Sequence, residues 1–234
     1  MSKKYFINYS SNGFKKSQEN GLETAKKYGF ITKGYTEKDL DSDFIKKNDY
    51  ILSQKRGAGY WLWKPYIILD MLNKIDEGDY LVYMDSGANF IGDPQNYLDM
   101  INEKGILAFS MIQKTSKWTK GDCFYLINGK DSLYNFSDTN QLQGTYVFFK
   151  KCTYAVDFVK KWLELCVNEN IITDIPNVYV ENMYDFIDHR HDQSIFSLLC
   201  YNNNIMHIPQ IDQYCVEHNL PIDRKIVNRH GIRY

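Results

Sequence analysis

Three groups of residues in this sequence have types and spacings that could do chemistry. The first is Asp85-Ser86-Gly87, an acid and a glycine placed directly after the apolar run Tyr80-Leu81-Val82-Tyr83-Met84. A carboxylate there can coordinate a divalent cation or accept hydrogen bonds from a ribose, and the glycine leaves room for a ligand. A turn or a helix cap is the structural alternative. The second group is the cationic pair Arg56 and Lys64, whose side chains are natural partners of phosphate oxygens. For Lys64, a solvated side chain at a helix start competes with that role. The third is His191-Asp192-Gln193, which opens an apolar segment. Such a polar group could line a pocket, although an acid at a helix N-terminus is also favourable with the dipole alone. All five histidines (His189, His191, His207, His218 and His230) fall in roughly the last fifth of the chain. None has the H-E-x-x-H spacing of a metal motif.

The elements that must position these groups follow from the hydropathy pattern. Lys55 to Phe90 is the organising stretch. Arg56-Gly57-Ala58-Gly59 reads as a flexible cationic loop, and Tyr60, Trp61 and Trp63 crowd aromatic faces before Lys64-Pro65. With Pro65 at a first helical position, a helix runs through Ile67, Ile68, Met71 and Leu72 on one apolar face. Asp76-Glu77-Gly78-Asp79 is a turn. Tyr80 to Met84 is then a strand covered on both faces, and Asp85 sits at its carboxyl end, where α/β sheets bind ligands. Tyr5 to Tyr9 is a first strand, Gln18 to Tyr28 a helix stopped by Gly29, and Phe30 to Thr32 a short strand. Thr36-Glu37-Lys38-Asp39 resembles a helix start, and Asp43 to Ser53 is helical. After Gly92-Asp93-Pro94 come a helix near Gln95 to Ile101 and a strand from Gly105 to Phe109. Lys114 to Lys120 reads as a surface loop, leading into a helix through Phe124 to Ile127. Gly144 to Phe149 is a strong strand, and Tyr154 to Val167 an amphipathic helix. Asn168 to Asn182 is loop-like, Ile195 to Cys200 an apolar helix, and Ile205 to Pro209 a last strand. Helices alternating with short apolar strands imply a single three-layer α/β/α sandwich on a mostly parallel sheet, with residues 1–234 as one domain.

Composition narrows the classes of function. The net charge is −1, so there is no electrostatic case for nucleic acid or an anionic membrane surface. Aromatic residues make up 15% of the chain. Rings stack on sugars and bases, and they also fill cores. The five cysteines are spread without a C-x-x-C pair, which disfavours a disulfide framework and a zinc cage and suits a reducing compartment. No apolar run approaches the ~20 residues of a membrane span, and the N-terminal residues lack the apolar core of a signal peptide. The expectation is a cytoplasmic protein without a transmembrane segment.

In their order, these features resemble the nucleotide-sugar glycosyltransferases of the GT-A type, and more distantly glycosyltransferase family 8. That family has a first strand contacting the nucleotide, a helix carrying a basic residue, and an apolar strand ending in Asp-x-Asp. Tyr5 to Tyr9, Lys64, and Tyr80 to Asp85 stand in those places. Gln143-Gly144-Thr145-Tyr146-Val147-Phe148 looks like the strand that follows, and Asp192-Gln193-Ser194-Ile195-Phe196 like the Asp-Gln pair opening an apolar helix. His230-Gly231 is a loose match to a C-terminal His-x-x-Gly. The block R-G-x-G-Y-W-x-W-K-P is similar to one in small bacterial and viral glycosyltransferase-like proteins. One departure matters: Gly87 replaces the second aspartate.

The resemblance implies a nucleoside-diphosphate sugar as donor and a glycan or lipid-linked acceptor, in surface polysaccharide or glycoconjugate synthesis. Donor binding would fall to Tyr9, Arg56, Trp61, Lys64, Asp85, Ser86, Gly87 and Gly144, with Trp61 or Trp63 stacking on a sugar or base. Asp192 and Gln193 would be the catalytic pair. Mn²⁺ or Mg²⁺ would be held by Asp85 and His230, helped by Asn89 or Asp93; alternatively Arg56 and Lys64 would neutralise the diphosphate without a metal. A catalytically silent nucleotide- or glycan-binding module on the same fold is the alternative that Gly87 favours. A sugar nucleotidyltransferase would need a glycine-rich loop after the first strand, where Ser10-Ser11-Asn12-Gly13 has one glycine. A dinucleotide-binding dehydrogenase would need G-x-G-x-x-G, which is absent.

Overall fold

The computed structural model describes residues 2–11, 13–214 and 226–229. Its strands are β1 (Lys4–Tyr9), β2 (Ile31–Tyr35), β3 (Tyr80–Met84), β4 (Ala88–Phe90), β5 (Ile106–Lys114), β6 (Asn140–Leu142), β7 (Tyr146–Lys150), β8 (His207–Pro209) and β9 (Val227–Arg229). A seven-stranded sheet has the order β2-β1-β3-β7-β5-β6, with β8 paired to β5, while β4 and β9 form a separate ribbon. β1 is parallel to β2 and β3, and β5 is parallel to β8. β7 is antiparallel to β3 and β5, and β6 is antiparallel to β5. Hence β1, β2, β3, β5 and β8 point one way and only β6 and β7 run against them, so the sheet is mostly parallel.

The period of two along the strands builds two cores. Ile7, Leu81, Tyr83, Ile106, Val147 and Phe149 join one cluster with the apolar faces of the helices Trp63–Lys74, Thr153–Cys166 and His191–Asn202. Phe6, Val82, Met84, Leu107, Tyr146 and Phe148 join the other, with Ala25 of the helix Lys15–Lys26 and Tyr97 and Leu98 of the helix Gln95–Asp99. The sheet is therefore buried on both faces, and the arrangement is a three-layer α/β/α sandwich. This is why Tyr80 to Met84 reads as a near-continuous apolar run rather than an alternating one.

Some expectations shift. The central helix starts at Trp63, so Pro65 is its third residue; any first-turn position tolerates proline because those N–H groups lack intrahelical acceptors. Asp43 to Ser53 divides into two short helices, Ser42–Lys47, capped by Asp41, and Asp49–Leu52. Thr36 to Asp39 completes a capping box, but on one turn of 3₁₀-helix only. Lys114 to Lys120 is not a surface loop. β5 extends to Lys114, a helical turn follows at Thr115–Trp118, and Thr115, Ser116, Thr119 and Lys120 are buried. Gln141 reaches this turn, its Nε2 donating to the Trp118 carbonyl at 3.0 Å and to Thr119 Oγ1 at 3.1 Å. Asn168 to Asn182 begins with a helical turn, Glu169–Ile172. Beyond it the chain is irregular but fastened: buried Asp122 accepts from the backbone N–H groups of Val178, Tyr179 and Val180.

Trp162 is fully buried between sheet and helices, with its Nε1 donating to the Asp192 carbonyl at 3.1 Å. Trp162→Ala is expected to lower the unfolding free energy by ~3–5 kcal/mol in urea titration, with Trp162→Phe losing less. A loss below about 1 kcal/mol for the alanine variant would contradict this packing.

Candidate active site

Three elements converge on one side chain. Lys64 is the second residue of the helix Trp63–Lys74, Asp85 follows β3 directly, and Asp192 is the second residue of the helix His191–Asn202. The Lys64 ammonium donates to Asp192 Oδ2 at 2.6 Å and to the Gly144 carbonyl at 2.9 Å, and lies 3.5 Å from Asp85 Oδ1. Lys64 and Asp192 are 2% and 3% exposed, whereas the Asp85 side chain keeps 34% of its surface open. The backbone at the strand end is fixed as well: the Asp85 N–H donates to the Thr145 carbonyl at 2.7 Å, and its carbonyl accepts from Ala88 N–H at 2.8 Å. Gln193 Oε1 accepts from the Gly144 N–H at 3.0 Å, and its Nε2 donates to Gln141 Oε1 at 2.6 Å. A Cβ at Gly144 would come within 3.0 Å of Gln193 Cβ and 3.4 Å of Asp192 Oδ2. Glycine is thus what allows this strand to reach the carboxylate.

The charges are set by burial and pairing. Burial would strip the proton from Lys64, but Asp192 and Asp85 together hold its pKa above the ordinary lysine value. Burial pushes the Asp192 carboxyl up to about 6 against the pull of Lys64, and the like charge of Asp85 adds to the rise. Tyr83, on the same side of β3 as Asp85, donates its hydroxyl to Asp85 Oδ1. Burial, then Asp85, raises that phenol well above its usual value, so it remains a donor.

The loop before Lys64 is wound left-handed. φ is positive at Gly57, Ala58, Gly59, Tyr60 and Trp61, a conformation that costs non-glycine residues ~1–2 kcal/mol each. It is held by Gly59 N–H on the Gln54 carbonyl at 2.8 Å, Tyr60 N–H on Arg56 at 2.7 Å and Trp63 Nε1 on Gly57 at 3.0 Å. Trp63 is not free to stack on a ligand, because it is buried against Tyr9 with ring centroids 3.9 Å apart and an interplanar angle of 14°. Trp61 instead lies over His191, with centroids 5.4 Å apart. His191 is neutral: its Nδ1–H, the tautomer set by its acceptor, meets the Ile172 carbonyl at 2.7 Å, and burial brings its pKa down to about 4. Its Nε2 is buried with no hydrogen-bond partner. Arg56 bridges Asp174 at 3.0 Å and Asp188 at 2.8 Å, and Arg190 shares Asp188 at 2.6 Å while covering the Trp118 ring.

Seven of the expected site residues (Arg56, Trp61, Lys64, Asp85, Gly144, Asp192 and Gln193) line one cleft of about 190 Å³, together with Thr145, Arg190 and His191. Tyr9 lines a separate cleft of about 870 Å³ at the ends of β1 and β2, with Ser10, Lys15, Gln18 and Thr36. Ser86 is turned inward, its hydroxyl donating to the Tyr9 carbonyl, and Gly87 lies in the turn to β4. His230 lies outside the described residues, as do His218 and Gly231. A third cleft, of about 410 Å³, shares Arg56 and is bounded by Lys120, Asp174, Asn177, Asn182 and Asp188. The sequence reading missed Thr145, Arg190 and Tyr83 as site residues; only Tyr83 had a signal, its i, i+2 relation to Asp85 on one strand.

The described residues do not fit a divalent cation. Among them no group of three His, Cys, Asp or Glu side chains is placed to hold one. Asp85 faces an ammonium and a phenol, Gly87 brings no ligand, and Asp93 caps the next helix through Gln95 N–H at 2.9 Å. Asn89, buried in β4, offers one unpartnered amide oxygen, short of the about six oxygens a hard divalent cation takes.

No family model and no curated protein matches the chain. Its architecture does match solved structures of glycosyltransferases. One is the apo form of the glycosyltransferase GlyE of Streptococcus pneumoniae TIGR4, with TM-score 0.50, 10% identity, and coverage of 90% of this chain and 47% of that one. Another is the apo structure of the bifunctional glycosyltransferase WbbM, with TM-score 0.52, 12% identity, and coverage of 89% and 39%. The fold is thus the GT-A glycosyltransferase fold, and the chain spans less than half the length of these two structures.

Removing one member of a buried ion pair strands the other charge, at ~3–5 kcal/mol. Asp192→Ala should therefore destabilise the protein by that order, whereas Asp85→Ala, at a half-open position, should cost less, about 1–3 kcal/mol, through the buried Tyr83 hydroxyl it leaves without its acceptor. Urea unfolding of the two variants checks this, and equal losses would refute the unequal burial.

Proposed function

We propose that this protein is a glycosyltransferase that moves a sugar from a nucleoside-diphosphate sugar to a hydroxyl group of a glycan or lipid-linked acceptor. The observation that carries the reading is the junction of Lys64, Asp85 and Asp192 at the carboxyl end of β3, beside an open cleft, on a GT-A fold. That is where an α/β sheet presents its ligand site.

The three clefts suit the three parts of the reaction. The cleft at the ends of β1 and β2 has room for a nucleoside, with Lys15 and Lys38 at its wall. The donor sugar would lie in the central cleft, where the open Asp85 carboxylate and Gln193 accept and donate hydrogen bonds to hydroxyls. Departure of a nucleoside diphosphate needs positive charge aimed at the leaving oxygens. Arg56 and Arg190 line that cleft, and each keeps N–H donors beyond those used on Asp174 and Asp188. Lys64 acts indirectly, because it is buried, with its ammonium bonded to Asp192 and the Gly144 carbonyl and paired with Asp85; it fixes the two carboxylates rather than touching phosphate. Asp192 would accept a proton or hydrogen bond from a reacting hydroxyl. The third cleft, joined to the central one through Arg56, suits an acceptor sugar: Asp174, Asp188, Asn177 and Asn182 offer hydroxyl partners, and Tyr179 and Tyr184 stand exposed on the same segment. Assembly of surface glycans in the cytoplasm, by one domain spanning residues 1–234, is the setting we favour.

A thermal-shift panel of UDP-, GDP-, TDP- and CMP-sugars tests the reading, since a ligand of the folded state must raise the melting temperature. One nucleoside-diphosphate class is expected to shift it and to be turned over with release of nucleoside diphosphate, the CMP-sugar serving as the monophosphate control. Shift without turnover would move the assignment to a silent binding module, and no shift with any donor would defeat the reading.

The pH dependence is also fixed in sign. With Asp192 pushed up to about 6, kcat/KM should fall as pH is lowered through about 6, because the proton removes both the charge and the acceptor. Asp85→Asn removes a like charge that raises Asp192, so the midpoint should move down. A flat profile between about pH 5 and 7 would remove Asp192 from proton transfer.

A further inference from the structure

Around Lys64 Nζ, oxygens arrive from three separate elements: Asp192 Oδ2 at 2.6 Å, the Gly144 carbonyl at 2.9 Å and Asp85 Oδ1 at 3.5 Å. Carboxylate and carbonyl oxygens are hard ligands of the kind that hold Mg²⁺, Ca²⁺ or Mn²⁺. We infer that the Lys64 ammonium is the resident cation of this oxygen cage, standing where a divalent metal would otherwise be held, so that these oxygens are not open to a metal while Lys64 is in place.

Charge, spacing and burial support the inference together. Two carboxylates that close to one point repel each other and need a cation between them. An ammonium has three donors and no acceptor; two of these oxygens accept from it, and the third, on Asp85, adds an ion contact. Magnesium demands oxygens at about 2.0–2.1 Å in a near-octahedral shell and gives up water reluctantly. The distances to Asp192 and Gly144, 2.6 and 2.9 Å, are those of charge-assisted and ordinary N–H donors, and Asp85 at 3.5 Å is an ion-pair contact. The side chain is 2% exposed and rises from the first turn of a helix whose next turns are packed into the core, so the charge cannot swing out to solvent. In the turn after β3, Gly87 has no side chain and the Ser86 hydroxyl is turned to Tyr9, which leaves the amide oxygen of Asn89 as the one unpartnered side-chain oxygen of β4. For the proposed transfer this assigns the leaving charge to Arg56 and Arg190, and it rests on that reading only for the nucleotide part of the test below.

The experiment follows the electron paramagnetic resonance signal of free Mn²⁺, which is lost on binding. Wild-type protein in excess over Mn²⁺ should leave the signal intact. Lys64→Ala empties the cage while keeping its three oxygens, and should diminish the signal; adding Asp85→Asn should restore it. A wild-type protein that quenches the signal through Asp85, or a folded Lys64→Ala protein that leaves it undiminished, would overturn the inference. If Lys64→Ala is unfolded by circular dichroism, refolding on addition of Mn²⁺ supports the inference, and otherwise the wild-type measurement decides. In the second arm, the melting-temperature shift given by the active nucleotide sugar should be the same in EDTA and in Mn²⁺; a shift that requires Mn²⁺ and disappears in Asp85→Ala would count against it. The absence of any nucleotide response would defeat the transferase reading alone, because the Mn²⁺ signal needs no donor.

Discussion

A single buried ammonium ties the structure together. Lys64 meets Asp192 across 128 positions of sequence and the Gly144 carbonyl across 80, so one side chain connects the central helix, the end of β3, the approach to β7 and the start of the last long helix. Desolvating charges costs several kcal/mol per ion, and only good geometry with further hydrogen bonds offsets it. Here the further bonds exist: Tyr83 on Asp85, Trp162 on the Asp192 carbonyl, and Gln193 on the Gly144 N–H. A buried pair of this kind adds little net stability over apolar residues. It does exclude other registers, because a shift of β3 by one residue would turn Asp85 and Tyr83 to the opposite face.

This dependence on distant partners explains what could be read from the sequence. β3 and the long helix near Tyr154 to Val167 are written locally, in runs and periods of apolar residues, and the structure has β3 at Tyr80–Met84 and the helix at Thr153–Cys166. The mostly parallel three-layer sandwich followed from the alternation of such segments. Lys64 was different. A lysine near a helix start has the local signature of a solvated charge, and the carboxylates that bury it lie elsewhere in the chain. The same holds for Lys114 to Lys120, a polar run that reads as surface although Thr115, Ser116, Thr119 and Lys120 are buried, with Gln141 on the Trp118 carbonyl and Lys120 Nζ on the Ile175 carbonyl at 2.7 Å. Polar residues satisfied by backbone groups carry no hydropathy signal.

The aromatic block before Lys64 shows the same limit. Tyr60, Trp61 and Trp63 are equivalent as sequence, yet their rings have different tasks. Trp63 is spent on Tyr9 as core, while Tyr60 and Trp61 flank His191 at centroid distances of 4.9 and 5.4 Å. Alternation cannot separate them, because the backbone between Gly57 and Trp61 is left-handed and follows neither a helical nor a strand period.

That left-handed segment has a structural consequence for the ion pair. Several non-glycine residues in a disfavoured region persist only where surrounding contacts over-determine them, and the contacts here are the Trp61–His191 stack and the Arg56 bridges to Asp174 and Asp188. Trp61 precedes Lys64 by three residues, and His191 precedes Asp192 by one. His191 itself has φ of 49°. Positive φ angles are thus concentrated on both segments of chain that lead into the pair, and the Trp61–His191 stack joins those two segments. The cleft walls and the buried charges are thus neighbours in sequence as well as in space: Trp61 and Arg56 line the cleft in which Lys64 and Asp192 meet.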